Sequence, residues 1–175
     1  MKKLLILLMG IIILQTGAFA KDKLQFDFPN DGWHPVASPD GVASKKCFVT
    51  YNQSSDNYTE MLIFTQRVLK NNDMSAIAIL NRQLGKDRNN FPDIIPENIN
   101  QDFDDAMITW CSKIKNTCAV ERAFKGNEGI VLAIYMNKMP HYSNNMFGQW
   151  SNILNNVKVY NGQSGTSVKN IIELD

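Results

Sequence analysis

Three strand-like segments joined by two tight turns constrain the fold of this 175-residue chain more than any other feature. The segments are Asp105–Ser112, Cys118–Phe124 and Ile130–Met136, and the turns are Lys113–Asn116 and Gly126–Gly129. Apolar and polar residues alternate in the first two segments, as in half-buried strands, and short turns make neighbouring strands antiparallel. The third segment is apolar on both faces, which predicts a central strand covered on both sides.

The rest of the chain adds further strands and two helices to this meander. The predicted strands are Leu24–Phe28, Cys47–Tyr51, Met61–Leu69 and Val157–Tyr160. One predicted helix is Met74–Lys86 after the cap Asp73, and the other is capped by Ser143 or Asn144. The predicted loops run from Trp33 to Gly41 and from Asn89 to Gln101. Because the strands cluster and the helices do not alternate with them, we expect an α+β fold. Its antiparallel β-sheet would carry helices packed on its faces.

The first twenty residues have the pattern of a secretory signal peptide. Lys2 and Lys3 give a positive start, Leu4–Leu14 is almost wholly apolar, and Ala18-Phe19-Ala20 fits a cleavage site. The apolar run is about half of the roughly 20 residues that span a bilayer, so we expect cleavage and no membrane insertion afterwards. The sequence thus predicts a signal peptide at 1–20, one domain at 21–160 and a linker and tail at 161–175. It leaves open whether that tail docks, and whether the protein stays in the periplasm or enters the medium.

The charge balance argues against two classes of partner. Cleavage would remove two of the 18 basic residues and none of the 17 acidic ones, which leaves 16 against 17 and a net charge of −1. A near-neutral chain with interspersed charges lacks the basic surface that nucleic acids or anionic membranes attract. We therefore expect no nucleic-acid partner.

The three cysteines would enter an oxidising compartment, where disulfides persist. Cys111 and Cys118 flank the predicted turn and can face each other across a hairpin, which makes them the favoured pair. Cys47 would then be a free thiol buried in a strand. A pairing of Cys47 with either of the others remains open at this level.

The sequence contains no recognisable catalytic or metal-binding constellation. His34 and His141 are the two histidines, and neither accompanies a serine-nucleophile motif. Asp102, Asp104 and Asp105 form a tight acidic cluster, but it lacks the glycine and distal glutamate of a calcium loop. We predict no catalytic residue, no metal and no cofactor. A small hydrolase that uses His34 or His141 as a base is kept as an alternative.

Aromatic and methionine side chains crowd the connection between the last long strand and the last helix, and Trp33 lies in an earlier loop. Such side chains on an exposed loop favour adaptable contacts with other proteins. The alternative interpretation is that they cover the core. The predicted protein-contact surfaces are the loops Trp33–Ser38 and Met139–Phe147, with Trp33, His34, Met139, His141, Tyr142 and Phe147 as contact residues.

The order of elements, together with several residues, resembles the PsbP-like family, named for an extrinsic protein of photosystem II. The resemblance covers roughly residues 24–160 and lies in Phe26-Asp27-Phe28-Pro29 before Trp33, the Met61–Leu69 strand leading into the first helix, the hairpin Ala119–Asn137, and Phe147-Gly148-Gln149-Trp150 opening the last helix. It implies an α/β/α sandwich. It also implies a binding or assembly role, because members of that family mostly stabilise larger complexes or bind another protein.

Two function hypotheses follow besides the hydrolase. The leading one is an exported, non-enzymatic module of the bacterial periplasm that binds a protein partner or assists assembly. The other is a protein secreted into the medium, where it acts as an effector or inhibitor on an external partner and could contribute to virulence.

Overall fold

The computed structural model describes residues 22–29, 32–68, 74–138, 144–160 and 171–174, and for residues 98 and 144–146 it describes the backbone alone. The strands in these ranges are β1 Lys23–Gln25, β2 His34–Val36, β3 Lys46–Val49, β4 Glu60–Val68, β5 Glu97–Gln101, β6 Asp105–Ser112, β7 Thr117–Lys125, β8 Gly129–Asn137, β9 Lys158–Val159 and β10 Ile171–Glu173, and the helices are α1 Ala76–Asn90 and α2 Asn144–Asn155.

Seven strands form one antiparallel sheet in the order β2-β3-β4-β8-β7-β6-β5. The meander β6-β7-β8 is present as predicted, and the long strand β4 pairs with β8 along its whole length. This places β8 at the centre of the sheet. Its apolar residues on both faces are buried, which explains why the segment does not alternate.

The large sheet is covered on both faces, so the predicted α+β class is confirmed. On one face, α1 packs on β6, β7 and β8 through Ile79, Leu80 and Leu84. On the other face, Trp150 and Leu154 of α2 complete a second core. The two cores lie back to back across the sheet, which is the arrangement of a sandwich with the sheet as its middle layer.

A second, three-stranded sheet in the order β10-β1-β9 joins the two ends of the chain over the second face. β9 pairs with one side of β1 and β10 with the other, and Leu24, Ile172 and Leu174 enter the second core. The predicted strand Val157–Tyr160 is therefore shorter than expected and belongs to this small sheet. The end of the tail, which the sequence left open, docks at residues 171–174.

Two predicted loops contain strands, and those predictions were wrong. β2 lies within Trp33–Gly41, and β5 lies within Asn89–Gln101. Both are edge strands of the large sheet, where a proline is tolerated because one side of the strand needs no ladder hydrogen bonds. Pro35 accordingly sits inside β2, while β5 begins directly after Pro96 and has a bulge between Asn98 and Asn100.

The first helix begins and ends later than predicted. Its N-cap is Ser75, whose hydroxyl accepts a hydrogen bond from the Ala78 amide, and not Asp73. Its last residue is Asn90 instead of Lys86, and the Phe91 amide donates to the Asp87 carbonyl at its end. The extra turn carries Asp87 onto the buried face of the helix, and this carboxyl group becomes important below.

Candidate functional site

Trp33, a predicted contact residue, packs half-buried against the second core. Its ring stacks on Phe28 at a centroid distance of 5.9 Å and meets Trp150 edge to face at 5.8 Å. Trp150 in turn stacks on Tyr135 at 3.4 Å. Trp33 therefore closes an aromatic column that holds α2 on the sheet. Its role in binding a partner stays a prediction.

His34, also a predicted contact residue, is directed at the backbone of its own neighbourhood. Nδ1 lies 3.4 Å from the Gly32 carbonyl oxygen, and Nε2 lies 3.2 Å from that of Gln53. These contacts connect β2 to the turn after β3. His141, the other histidine considered as a base, lies outside the described residues.

The predicted disulfide between Cys111 and Cys118 is present. The two residues face each other directly across β6 and β7, seven residues apart in the chain, with Asn116 in the turn at a φ of 47°. Asparagine tolerates this left-handed conformation better than most residues, which helps so short a turn to close. Cys47 is a free cysteine buried in β3, and burial raises the pKa of its thiol. It is therefore kept in the protonated, weakly nucleophilic form.

The hairpin turn is attached to the segment that leads into β5. The Asp93 carboxylate accepts hydrogen bonds from the Ser112 hydroxyl at 2.6 Å, the Lys113 amide at 2.7 Å and the Ile114 amide at 3.0 Å. The hydrogen bond from Ser112 and those from the backbone lower the pKa of Asp93. Together with the disulfide, this carboxylate fixes the position of the turn relative to the edge of the sheet.

Three isoleucines are exposed in the hairpin turn, in the segment that Asp93 attaches to it and in the edge strand β5 that pairs with β6. The exposed fractions are 80% for Ile95, 67% for Ile114 and 49% for Ile99 of the edge strand β5. Beside them, a cleft of about 540 Å³ is lined by the disulfide, by Ile95 and by Phe147 of α2. We call Ile95, Ile99, Ile114 and Phe147 the hairpin surface. Exposed apolar side chains on connected segments beside a cleft are candidates for a protein-interaction site.

The hairpin surface includes part of a predicted contact segment. Phe147 is the described end of Met139–Phe147, whereas Met139, His141 and Tyr142 lie outside the described residues. On the other side of that gap, Asn137 pairs with Cys118 of the disulfide. Ile95, Ile99 and Ile114 were missed because an isolated apolar residue in a loop or edge strand has no periodicity that would predict exposure.

A pair of buried carboxyl groups links α1 to the centre of the sheet. Glu121 of β7 is completely buried, and its Oε1 accepts a 2.6 Å hydrogen bond from the indole nitrogen of Trp110. Asp87 of α1 is 8% exposed, and its Oδ1 accepts a 3.0 Å hydrogen bond from the Gln83 side chain. The Asp87 and Glu121 carboxyls lie close enough for each to act on the pKa of the other.

This arrangement favours one proton on the carboxyl pair. Asp87 Oδ2 and Glu121 Oε2 are buried without a hydrogen-bond partner among the described residues, and two buried carboxyls that act on each other do not both ionise readily. Burial first, and then the charge of Asp87, raises the pKa of Glu121 well above its usual value. Burial also raises the pKa of Asp87, but less far, so we assign the proton to Glu121 and the negative charge to Asp87.

Sequence reasoning missed this pair, although each residue left a signal. Glu121 lies between Ala119 and Ala123 on one face of its strand, and both alanines are buried against α1. Asp87 follows Leu84 by three residues and so continues the apolar stripe of the helix. An acid at a core-facing position on each of two elements is the pattern that would have predicted the pair.

Asp87 also lines a second cleft, of about 320 Å³, between α1, the strands β4 and β8, and the loop around residues 38–45. Its walls include Met61, Ile134 and Met136, and its rim includes Lys45 and Lys86. The cleft thus combines apolar walls, positive charges at the rim and a negative charge in the interior.

The acidic cluster considered for a metal is partly engaged in ion pairs. Asp104 lies 3.6 Å from Lys125, and Asp105 is paired with Arg122 at 2.6 Å. The part of the chain that the structure describes contains no group of three histidine, cysteine or acidic side chains placed to hold a metal ion. Nor does any helix in that part have the length and apolar character needed to cross a bilayer.

No protein-family model and no curated protein matches this chain. Among solved structures, it is similar to the Ran-binding protein Mog1p of Saccharomyces cerevisiae, with a TM-score of 0.43 and 10% sequence identity over 70% of this chain and 74% of that one. A similarity of this size carries no conclusion about function.

Proposed function

We propose that this protein is an exported, PsbP-like binding module that contacts a protein partner through the hairpin surface. The observation that carries the proposal is the exposure of Ile114 in the turn of a disulfide-linked hairpin, and of Ile95 and Ile99 in the adjoining segment and edge strand that Asp93 and β6 attach to it. Burying one such side chain against a partner contributes about 1.5–3 kcal/mol. A few well-buried side chains of this kind commonly dominate the affinity of an interface.

The rigidity of the surface supports this role. The hydrogen bonds of Asp93 and the disulfide fix the turn that carries Ile114, and the same carboxylate holds the segment that carries Ile95. A surface that is already ordered loses less conformational entropy when a partner binds. The adjacent cleft, with Phe147 in its wall, offers a depression for one apolar anchor of the partner.

Export is supported by the N-terminal pattern and by the disulfide, because disulfides persist mainly in oxidising compartments. Fractionation of the native host, with a lysis control, tests the location. Recovery in the periplasm alone would support an envelope module. Accumulation in clean medium would favour the external effector or inhibitor, and recovery in the cytoplasm would refute export.

The binding function is tested by affinity capture from the compartment in which the protein is found. Wild-type protein is compared with an Ile95→Asp/Ile114→Asp variant and with a Tyr51→Asp control, since Tyr51 is 62% exposed in the turn after β3. We expect one identified partner to be retained by wild type and control, and retention to fall about tenfold or more in the double variant.

Each alternative result has a definite meaning. Equal capture by the folded double variant would refute the hairpin surface as the contact site. If cross-linking in intact cells also recovers no partner for the wild type, the protein-binding function itself is wrong.

A further inference from the structure

The hydrogen-bond chain around the buried carboxyl pair holds one side chain in a fixed position. Trp110 donates to Glu121 and Gln83 donates to Asp87, and the Glu121 carboxyl, whose burial favours the protonated form, lies near Asp87. Each carboxylate oxygen can accept more than one hydrogen bond, so Asp87 retains acceptor capacity. Asp87 also lines the cleft beside α1, which makes it the one buried anion of the network that a ligand in that cleft could reach.

The charges around the cleft are balanced but separated. Lys45 and Lys86 line it, and both are close enough to act on the charge of Asp87. Lys45 is paired with Asp40, which is also in the lining. With one negative charge on the carboxyl pair, the charges of Lys45, Lys86, Asp40 and the pair sum to zero. A neutral ligand with separated positive and negative ends matches this distribution better than a simple cation or anion does.

The size and walls of the cleft restrict the rest of the ligand. A volume of about 320 Å³ is at the lower end of the range for small-molecule sites. Met61, Ile134 and Met136 provide apolar walls, and unbranched methionine adapts well to different apolar shapes. The ligand should therefore be small and carry an apolar group between or beside its charged ends.

From this geometry we propose that the cleft beside α1 binds a free amino acid with an apolar side chain. Its ammonium group would donate hydrogen bonds to Asp87, its carboxylate would lie towards Lys45 and Lys86, and its side chain would contact the methionines. No residue of the hairpin surface lines this cleft. The site thus adds a ligand-binding function to the proposed protein-binding function, and its test is independent of that proposal.

The test is an NMR titration of the purified protein, labelled at the methionine methyl groups, with L-leucine up to about 10 mM, ten times a millimolar dissociation constant. Met61 and Met136 report on the cleft. Two matched probes are titrated in parallel: 4-methylpentanoic acid, which lacks the ammonium group, and 3-methylbutylamine, which lacks the carboxylate. We expect saturable shifts of both reporter signals with leucine, and binding weaker by about tenfold or more with either probe.

Two variants locate the ammonium contact. Asp87→Asn removes the carboxylate and should weaken leucine binding about tenfold or more. Glu121→Gln is the matched control, because a glutamine amide can accept from Trp110 and donate to Asp87 as the protonated acid does. It should bind leucine within about twofold of wild type, a difference smaller than the loss of one hydrogen bond.

Several results would overturn the proposal. These are the absence of leucine-dependent shifts in the wild type, shifts confined to methionines outside the cleft, and equal binding of either matched probe. If Asp87→Asn fails to fold, the comparison of leucine with the two matched probes on wild-type protein still decides whether the cleft recognises both charged groups of the amino acid.

Discussion

The attachment of α2 to the sheet should depend strongly on one arginine. Arg122 of β7 donates to the carbonyls of Leu154 and Val157, at the end of α2, over 2.6 and 3.1 Å. Its Nε and Nη2 donate to the two oxygens of Asp105 over 2.9 and 2.6 Å. A positive charge at a helix C-terminus also interacts favourably with the helix dipole. We predict that Arg122→Met weakens the fold chiefly by leaving these acceptors without a donor.

The magnitude follows from the burial of the groups involved. The Arg122 side chain is 10% exposed and that of Asp105 is 36% exposed. Removing one partner of a buried ion pair costs about 3–5 kcal/mol, and the partial exposure of Asp105 places this case at the low end, because water can rehydrate its carboxylate. The two helix carbonyls lose charge-assisted hydrogen bonds. We therefore expect Arg122→Met to lower the free energy of unfolding by about 3 kcal/mol.

Urea unfolding at neutral pH measures this change, with Lys125→Met as the control. Lys125 lies in the same strand and pairs with Asp104, but both side chains are 58% exposed and their charged atoms are 3.6 Å apart. Exposed pairs of this kind contribute about 0–1 kcal/mol. The urea midpoint should fall much further for Arg122→Met than for Lys125→Met, while the dependence of the unfolding free energy on urea concentration stays the same. Equal losses in the two variants would show that Arg122 does not hold α2.

Two further predictions concern the buried acid and the disulfide. Burial raises the pKa of Glu121 above its ordinary 4.5, so the native state keeps a proton that the unfolded state releases as pH rises. The contribution of Glu121 to the free energy of unfolding is therefore full below about pH 4.5 and is lost as pH rises towards the raised pKa. As pH rises from 4 to 8, urea unfolding should show Glu121→Gln gaining stability relative to wild type, by at most about 1.4 kcal/mol per pH unit. Stability profiles that run parallel for the two proteins would contradict the raised pKa of Glu121. Replacing Cys111 and Cys118 by serine opens a loop with a sequence separation of seven, and should lower the free energy of unfolding by about 2–3 kcal/mol in the same assay. An unchanged free energy of unfolding would mean that the hydrogen bonds of Asp93 already close the turn.

The long, regular elements could be predicted because their signals are local. The alternation along β6 and β7, the tight turn between them and the apolar run of β8 require no knowledge of distant residues. The same local geometry favours the Cys111–Cys118 pair, and the structure decides against the pairings with Cys47. The signal peptide and the location of the protein also follow from sequence pattern alone, and they stay predictions.

The short edge strands could not be predicted in this way. β2 and β5 have three and five residues, and each contains or follows a proline. Such segments have too few residues to show a period, and they become strands only because a longer neighbour offers a ladder. The same holds for β10, which needs β1 from the opposite end of the chain.

The sequence by itself determined the fold class and the hairpin and favoured the Cys111–Cys118 pairing, because periodicity, turns and short loops act between near neighbours. Only the tertiary structure decided where chemistry could occur. It placed Asp87 near Glu121, 34 residues away, and it left Ile95 and Ile114 exposed on two segments that Asp93 connects. The physical reason is that burial and charge depend on what the other elements cover, and residues distant in sequence decide this together.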